Sequence, residues 1–487
     1  AACMADMYAR LSGKPGIVIG QGVWIGSNAA YGIMEAYLAG VPMLVITEVS
    51  DYANLAQHAP YQCGSGEYGA VDIPSIMRSM TKYTTYANSP SEFVHGVQLA
   101  IKHATTGRPG PAAVVARWNA AMGQVEPEKA TPRLYPLEGH LRVSPPCISA
   151  SDAERAAELL AAAENPVIIA GQGVQISRAH AELLELAELL SIPVATSFMG
   201  KSSIAETHPL ALGMMGRIGQ RAANARISGA DVILAVGTGL APDNTMMLSP
   251  DLIRAQESKI IHIDVEPLNI GFTFPVELGI TSDARAALGA ISSAVRAKAP
   301  NIDVDKRQNE IAEFKEKQDF FKHPAMTSED KPIAPERIVT DLNAVVQPED
   351  VVVLDAGNNR MFFSKHFQTK RAGQLIGGGG AAGIGWGAAA APAAQMFHPD
   401  RRVVCIAGDG GMMLNLSILE TVRQYSLPLT YVIVNNASLG NVNDFIAPDR
   451  RELTEYDSPN IAGVAAALGS DAVKVEDPAE LKPALEK

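Results

Sequence analysis

The chain has 487 residues, 47% hydrophobic and 19% charged, with a mean hydropathy of +0.06. That length corresponds to about three domains at roughly 150 residues each, and the apolar content supplies several buried cores, which excludes global disorder. A net charge of −12 excludes nucleic-acid or anionic-membrane binding through bulk charge, so any anionic ligand needs a local device to hold it.

Short β-branched runs alternate with Ala/Leu-rich helical stretches, the pattern of an α/β fold with parallel sheets. In the first third, Gly16–Gly20, Pro42–Thr47 and Ala112–Ala116 read as strands and Ala29–Ala39 as a helix. Val125–Pro146 is Pro-rich without apolar period and reads as a linker. A second unit follows, with helices Asp152–Glu164 and Ala179–Leu190 and strands at Pro166–Ala170, Pro193–Thr196, Val232–Val236 and Ile260–Asp264. The charged stretch Asp303–Asp330, helical in part, leads to helix Pro335–Val346 and strand Asp350–Asp355 of a third unit.

Cys3, Cys63, Cys147 and Cys405 lie far apart with no CxxC, so neither a disulfide framework nor a thiolate metal site is expected, and a reducing cytoplasm is the default. No signal peptide is visible, and the longest apolar stretch, Ala381–Met396, is an Ala/Gly run with a Pro that suits close packing better than lipid. The chain opens in a helix-like pattern at Ala1–Arg10 and stops at Glu486-Lys487 inside another, so both ends read as cut. Gly20-Gln-Gly22 and Gly171-Gln-Gly173 follow strands, but Ile25 and Ile176 replace the third glycine of a dinucleotide turn. Gly64–Gly69 completes that pattern without a strand before it.

The informative segment runs Arg402–Gly411, Met412–Tyr425, then Pro428–Asn436: strand, glycine turn, helix, strand. Leu416, Leu419, Val422 and Tyr425 recur at helical spacing. A parallel crossover returns the second strand in the direction of the first, placing Asp409 and Asn436 at strand carboxyl ends on one edge, where open α/β sheets bind ligands. A carboxylate, an amide oxygen and a carbonyl in the following loop are hard donors suited to Mg2+. Gly408, Gly410 and Gly411 admit close backbone approach by a diphosphate, with a helix N-terminus behind them. Gly-Asp-Gly alone reads as an ordinary turn; the pair across one crossover carries the inference.

With those residues in place, the sequence resembles the thiamine diphosphate enzymes, whose signature is Gly-Asp-Gly followed further on by Asn-Asn. The resemblance covers nearly the whole chain and is closest to the acetolactate synthase (acetohydroxyacid synthase) group. It implies three doubly wound parallel-sheet domains: pyrimidine-binding (1–125), central (151–300) and diphosphate-binding (335–487), with linkers at 126–150 and 301–334. It also implies Mg2+ ligation by Asp409, the Asn436 side chain and the Ser438 carbonyl, and diphosphate contacts from Gly408, Gly410, Gly411 and Ser438-Leu439-Gly440. Gly377–Gly387 resembles the family's cofactor-bending segment. Ile384 would be the apolar wedge, with the Ala382 carbonyl and Ile384 amide on the aminopyrimidine. Asp355–Asn359 resembles the loop touching the diphosphate, through Asn358 and Asn359.

Met4–Arg10 and Gly13–Gly16 match the opening of the family's pyrimidine domain. The glutamate that favours the reactive imino tautomer would fall before Ala1, so no catalytic glutamate is named, and a chain truly starting there should be impaired. Synthases carry Gly-Pro-Gly where this chain has Gly20-Gln-Gly22, and their Phe-Gln-Glu falls at Tyr68-Gly69-Ala70. In the long loop from Glu48 to Ala70, His58, Gln62 and Tyr68 could reach substrate. After Asn436, the residues Asn441, Asn443 and Asp444 are more polar than in synthases, which points to a more polar substrate or, for Asn443 and Asp444, to capping of the next helix. Gly213–Gly216, Gly237–Gly239 and Ile263–Pro267 fit the family's central domain, where FAD, ADP or nothing binds; FAD stays open but is not the expectation.

The expectation is a thiamine diphosphate- and Mg2+-dependent enzyme making or breaking a C–C bond beside the carbonyl of a 2-oxo acid or related ketone. It would be a homodimer or homotetramer with sites between subunits, and would have no nucleic-acid or membrane partner. The alternatives are a decarboxylase or lyase of a different 2-oxo or 2-hydroxyacyl substrate, and a non-catalytic cofactor-binding relative.

Overall fold

The computed structural model describes residues 1–49, 64–66 and 69–486. Two compact units form, one from Ala1–Pro145 with Gly378–Pro399 and the other from Pro146–Gly377 with Asp400–Lys487.

The first unit holds β1 (Gly16–Gln21), β2 (Met43–Val49), β3 (Tyr83–Ala87) and β4 (Pro111–Arg117), all parallel in the order β1-β2-β4-β3. Leu44, Ala112 and Val114 pack against Ala100 and Ala104 of helix Pro90–Thr105. That helix starts where the Ser89 hydroxyl accepts from the Glu92 amide, with Pro90 in its first turn. Neither β3 nor this helix is among the sequence expectations; β3 is an edge strand, half-buried, with Thr84 and Thr85 in place of an apolar run. The Ala/Gly run is helix Trp386–Phe397, buried along most of its length and packed on helix Ala2–Ser12. Small side chains permit that approach. Among the described residues no helix is long and apolar enough to cross a membrane.

In the second unit, β5 (Pro166–Ala170), β6 (Val194–Thr196), β7 (Ala211–Met214), β8 (Val232–Val236), β9 (Lys259–Asp264) and β10 (Leu278–Thr281) form a parallel sheet ordered β10-β9-β8-β5-β6-β7. Successive residues alternate between two apolar clusters. Ile168, Ala170, Leu234 and Val236 join helices Ala150–Ala162, His180–Leu190 and Ala284–Lys298, while Val167, Ile169, Ile233 and Ala235 join helix Arg221–Ser228. Both faces are covered, which is why these strands read as unbroken hydrophobic runs. A further parallel sheet, β12-β11-β13-β14, contains β11 (Val351–Leu354), β12 (Leu375–Gly377), β13 (Val403–Gly408) and β14 (Leu429–Val434). Its core joins Val352, Leu354, Val404 and Ile406 to Phe363 and Phe367. Three parallel sheets interleaved with helices are the α/β architecture expected.

One local expectation is corrected. The helix read over Met412–Tyr425 is broken into Asp409–Met413 and Ile418–Gln424. Asn415 and Ser417 fall in the gap, residue types whose short polar side chains compete with helical bonding, and Tyr425 is exposed rather than packed. The Gly-Gln-Gly turns serve packing: a Cβ on Gly22 would sit 2.3 Å from the Glu48 carbonyl oxygen, and one on Gly171 2.2 Å from that of Gly237.

Candidate functional site

β13 and β14 run parallel with Gly408 opposite Val434, so Asp409 and the Asn435-Asn436 pair leave the sheet at the same rim. Asp409 is buried, and its Oδ2 accepts from the Ala437 amide at 3.1 Å and the Tyr456 hydroxyl at 3.0 Å. Asn436 is exposed; its Oδ1 accepts from the Ser438 amide at 3.2 Å, closing a tight turn with Ala437 at φ +49°. The loop is pinned from outside by Leu439 N–H to the Thr454 carbonyl, 2.8 Å, and Tyr456 N–H to the Ala437 carbonyl, 3.0 Å. Tyr456 is thus part of the site, and sequence reasoning missed it; it lies in an irregular segment with no period or motif to mark it.

The same rim gathers the loop after β11. Gly357, at φ +110°, turns the chain into helix Asn358–His366, a conformation that favours glycine. Asn359 is buried with its Nδ2 on the Asp355 carbonyl at 3.4 Å and its Oδ1 beside Gly408 without a partner. A Cβ on Gly440 would come within 2.7 Å of Asn436 Nδ2 and 2.9 Å of Asn358 Nδ2; one on Gly410 would lie 3.1 Å from the Tyr456 hydroxyl. Gly411 is buried and Leu439 exposed. Asp409, Asn436, Ser438, Gly440, Gly408, Gly410, Asn358 and Asn359 therefore converge.

The donor chemistry fits a hard divalent ion and a diphosphate. The Asp409 carboxylate, the Asn436 amide oxygen and the Ser438 carbonyl are hard oxygen donors that would hold such an ion; among the described residues no three His, Cys, Asp or Glu side chains gather as a metal site. The Ser438 hydroxyl is buried without a partner, a donor available to an anionic oxygen.

In the other unit, the segment before helix Trp386–Phe397 is shaped by close contacts. A Cβ on Gly378 would lie 2.8 Å from the Trp386 ring, and one on Gly383 2.5 Å from the Tyr31 ring. The Tyr31 hydroxyl donates to the Gly383 carbonyl at 2.5 Å, and Ala382 adopts φ +56°. Ile384 is half-buried.

His58, Gln62 and Tyr68 lie outside the described residues. Asn441 is exposed in the one-turn helix Gly440–Asn443. Asn443 Oδ1 accepts from the Thr454 hydroxyl at 3.1 Å, and Asp444 ends that turn. Neither caps the next element, Pro448–Leu453, which begins after Ala447; that alternative is set aside.

Residues 1–67 match the N-terminal TPP binding domain of thiamine pyrophosphate enzymes, 153–291 their central domain and 355–487 their C-terminal TPP binding domain. The probable acetolactate synthase large subunit of Methanocaldococcus jannaschii is 32% identical over 100% of this chain and 81% of its own length. The acetolactate synthase large subunit of Haemophilus influenzae and isozyme 3 of Escherichia coli are each 28% identical over 99% of this chain and 82% of their own lengths. With matches to all three domains and a relative of that identity along its full extent, the chain belongs to the thiamine pyrophosphate enzyme family, as a relative of acetolactate synthase large subunits.

Proposed function

We propose that this chain binds thiamine diphosphate through Mg2+ and makes or breaks a C–C bond adjacent to the carbonyl of a 2-oxo acid, in the manner of an acetolactate synthase. The observation that carries the reading is the joining of Asp409 to the loop after Asn436 by the 3.1 Å bond to Ala437, with Gly410 and Gly440 clearing space beside it. In this reading Asp409 Oδ2 is held by the fold while Oδ1, the Asn436 amide and the Ser438 carbonyl hold the ion. Gly408, Gly410, Gly411, Leu439, Asn358 and Asn359 line the diphosphate, and Ile384 with the Ala382 carbonyl holds the pyrimidine end. Held there, the cofactor would supply a carbon nucleophile next to an electron-accepting thiazolium ring, the chemistry that cleavage or formation of a bond beside a carbonyl needs.

The domains are read as 1–125, 151–300 and 335–487, the oligomer as a homodimer or homotetramer with sites between subunits, and the central sheet as working without FAD. A second reading, a decarboxylase or lyase acting on a more polar substrate, is favoured by exposed Asn441 and Asp444 beside the site. Calorimetric titration with thiamine diphosphate, with and without MgCl2, tests the core of the proposal. Saturable, Mg2+-dependent binding is expected for the parent and lost in Asp409→Ala; no binding by the parent ends it. Incubating the loaded protein with pyruvate and other 2-oxo acids then separates the readings: a coupled product marks a synthase, an aldehyde alone a decarboxylase.

A further inference from the structure

Glu35 lies on the helix Ala30–Ala39 with a fully buried carboxylate. Its Oε1 accepts from the backbone amides of Gly379 and Gly380, both at 2.9 Å; its Oε2 accepts from Ala381 at 2.7 Å and Ala382 at 3.1 Å. Four consecutive amides converge on one anion only when the backbone curls into a concave nest, a device that usually receives a ligand's anion. Here the chain supplies the anion itself. The curl ends at Ala382, in the left-handed region, two residues before Ile384.

We propose that Glu35 is a positioning residue: by clamping the amides of Gly379–Ala382 it fixes the segment that presents the Ala382 carbonyl and Ile384 to the pyrimidine of thiamine diphosphate. The inference rests on the cofactor reading above and deepens it.

The surroundings maintain the clamp. The Arg10 guanidinium donates to Glu35 Oε1 at 2.9 Å and to Asp6 Oδ2 at 3.1 Å, and lies 4.9 Å over the Trp386 ring. Trp386 Nε1 donates to Asp6 Oδ2 at 2.8 Å, so the far end of the segment is tied to the same cluster. Burial alone would raise the Glu35 pKa, but Arg10 and the Gly380, Gly379 and Ala381 amides hold it below the usual carboxylate range, so the anion persists. Gly380 is required as well: a Cβ there would lie 2.7 Å from the Ala39 amide nitrogen. A glutamine keeps the shape of Glu35 but turns an NH2 donor toward two of the four amides.

The test compares the 487-residue chain with Glu35→Gln and Glu35→Asp by hydrogen–deuterium exchange without cofactor and by titration with thiamine diphosphate and MgCl2. In Glu35→Gln, amides 379–382 should exchange at least tenfold faster while helix Ala30–Ala39 is unchanged, and cofactor affinity should fall about tenfold. Glu35→Asp, which keeps the charge but shortens its reach, should fall between, and decides the matter if Glu35→Gln does not fold. At saturating cofactor, the near-ultraviolet circular dichroism per bound cofactor should differ from the parent, a change that a lowered folded fraction does not produce. Faster exchange in either variant with unchanged affinity and spectrum overturns the positioning role while leaving the cofactor reading intact; failure of the parent to bind overturns both.

Discussion

The Tyr456 hydroxyl donates to Oδ2 of Asp409 across 3.0 Å from a residue 47 positions further along the chain. With the Ala437 amide on the same oxygen, it fixes the carboxylate's rotation. A part-buried hydrogen bond to a charged acceptor contributes about 1–2 kcal/mol. Tyr456→Phe should therefore weaken Mg2+-dependent cofactor binding roughly five- to thirtyfold, measured by calorimetry, with thermal denaturation reporting any accompanying loss of stability. Unchanged affinity would show that the phenol does not preorganise Asp409.

Gly440→Ala probes the same rim sterically. The new methyl would enter the space between Asn436 and Asn358, at 2.7 and 2.9 Å from their Nδ2 atoms. The expected outcome is at least a tenfold loss of cofactor affinity while the protein stays folded, since Asn436 is exposed and can swing away.

Asp6 carries a pH signature. Burial, the largest influence, with repulsion from Glu35, lifts its pKa from 3.8 to about 6 against the pull of Arg10 and Trp386. Between about pH 4 and 6 the folded chain therefore holds a proton that the unfolded chain has released, so this group's contribution to stability declines as pH rises through that window. The shift corresponds to on the order of 2–3 kcal/mol. Denaturant unfolding of the parent and Asp6→Asn across pH 4 to 7 should show the variant gaining on the parent as pH rises. A pH-independent difference would refute the assignment.

Lys201 and Glu206 form a buried ion pair at 2.6 Å, and Glu206 Oε2 also accepts from the Thr369 amide at 3.0 Å. Glu206→Gln strands an ammonium in the interior and should cost about 3–5 kcal/mol in denaturant unfolding. The double variant Lys201→Met with Glu206→Leu should recover part of that loss but not all, because the Thr369 amide then lacks its acceptor.

What could be read in advance divides along physical lines. β13 was legible because a strand buried on both faces appears as a continuous apolar run, and half-buried β14 at the sheet edge because Tyr431–Val434 is still apolar and the turn after each strand carries its own chemistry. The edge strand β3 lacked that signal. Glu35 was illegible for a different reason. One acidic residue in Ile33-Met-Glu-Ala-Tyr37 reads as a solvated helix position, and its partners are main-chain amides 344 to 347 positions away, which leave no trace in side-chain identity. The broken helix after Asp409 was misread because apolar spacing at Leu416, Leu419 and Val422 outweighed the short polar residues Asn415 and Ser417 on either side of Leu416.

Helix Ala2–Ser12 packs on β1 and helix Ala30–Ala39 close by in the chain, and also on Trp386–Phe397 far along it; the bond from Trp386 to Asp6 spans 380 positions. At about 5–20 residues per second, a ribosome needs on the order of 20–75 seconds to deliver that partner. Throughout that interval Asp6 lacks the indole donor that Trp386 brings, and the part of helix Ala2–Ser12 that Trp386–Phe397 covers stays open in the nascent polypeptide.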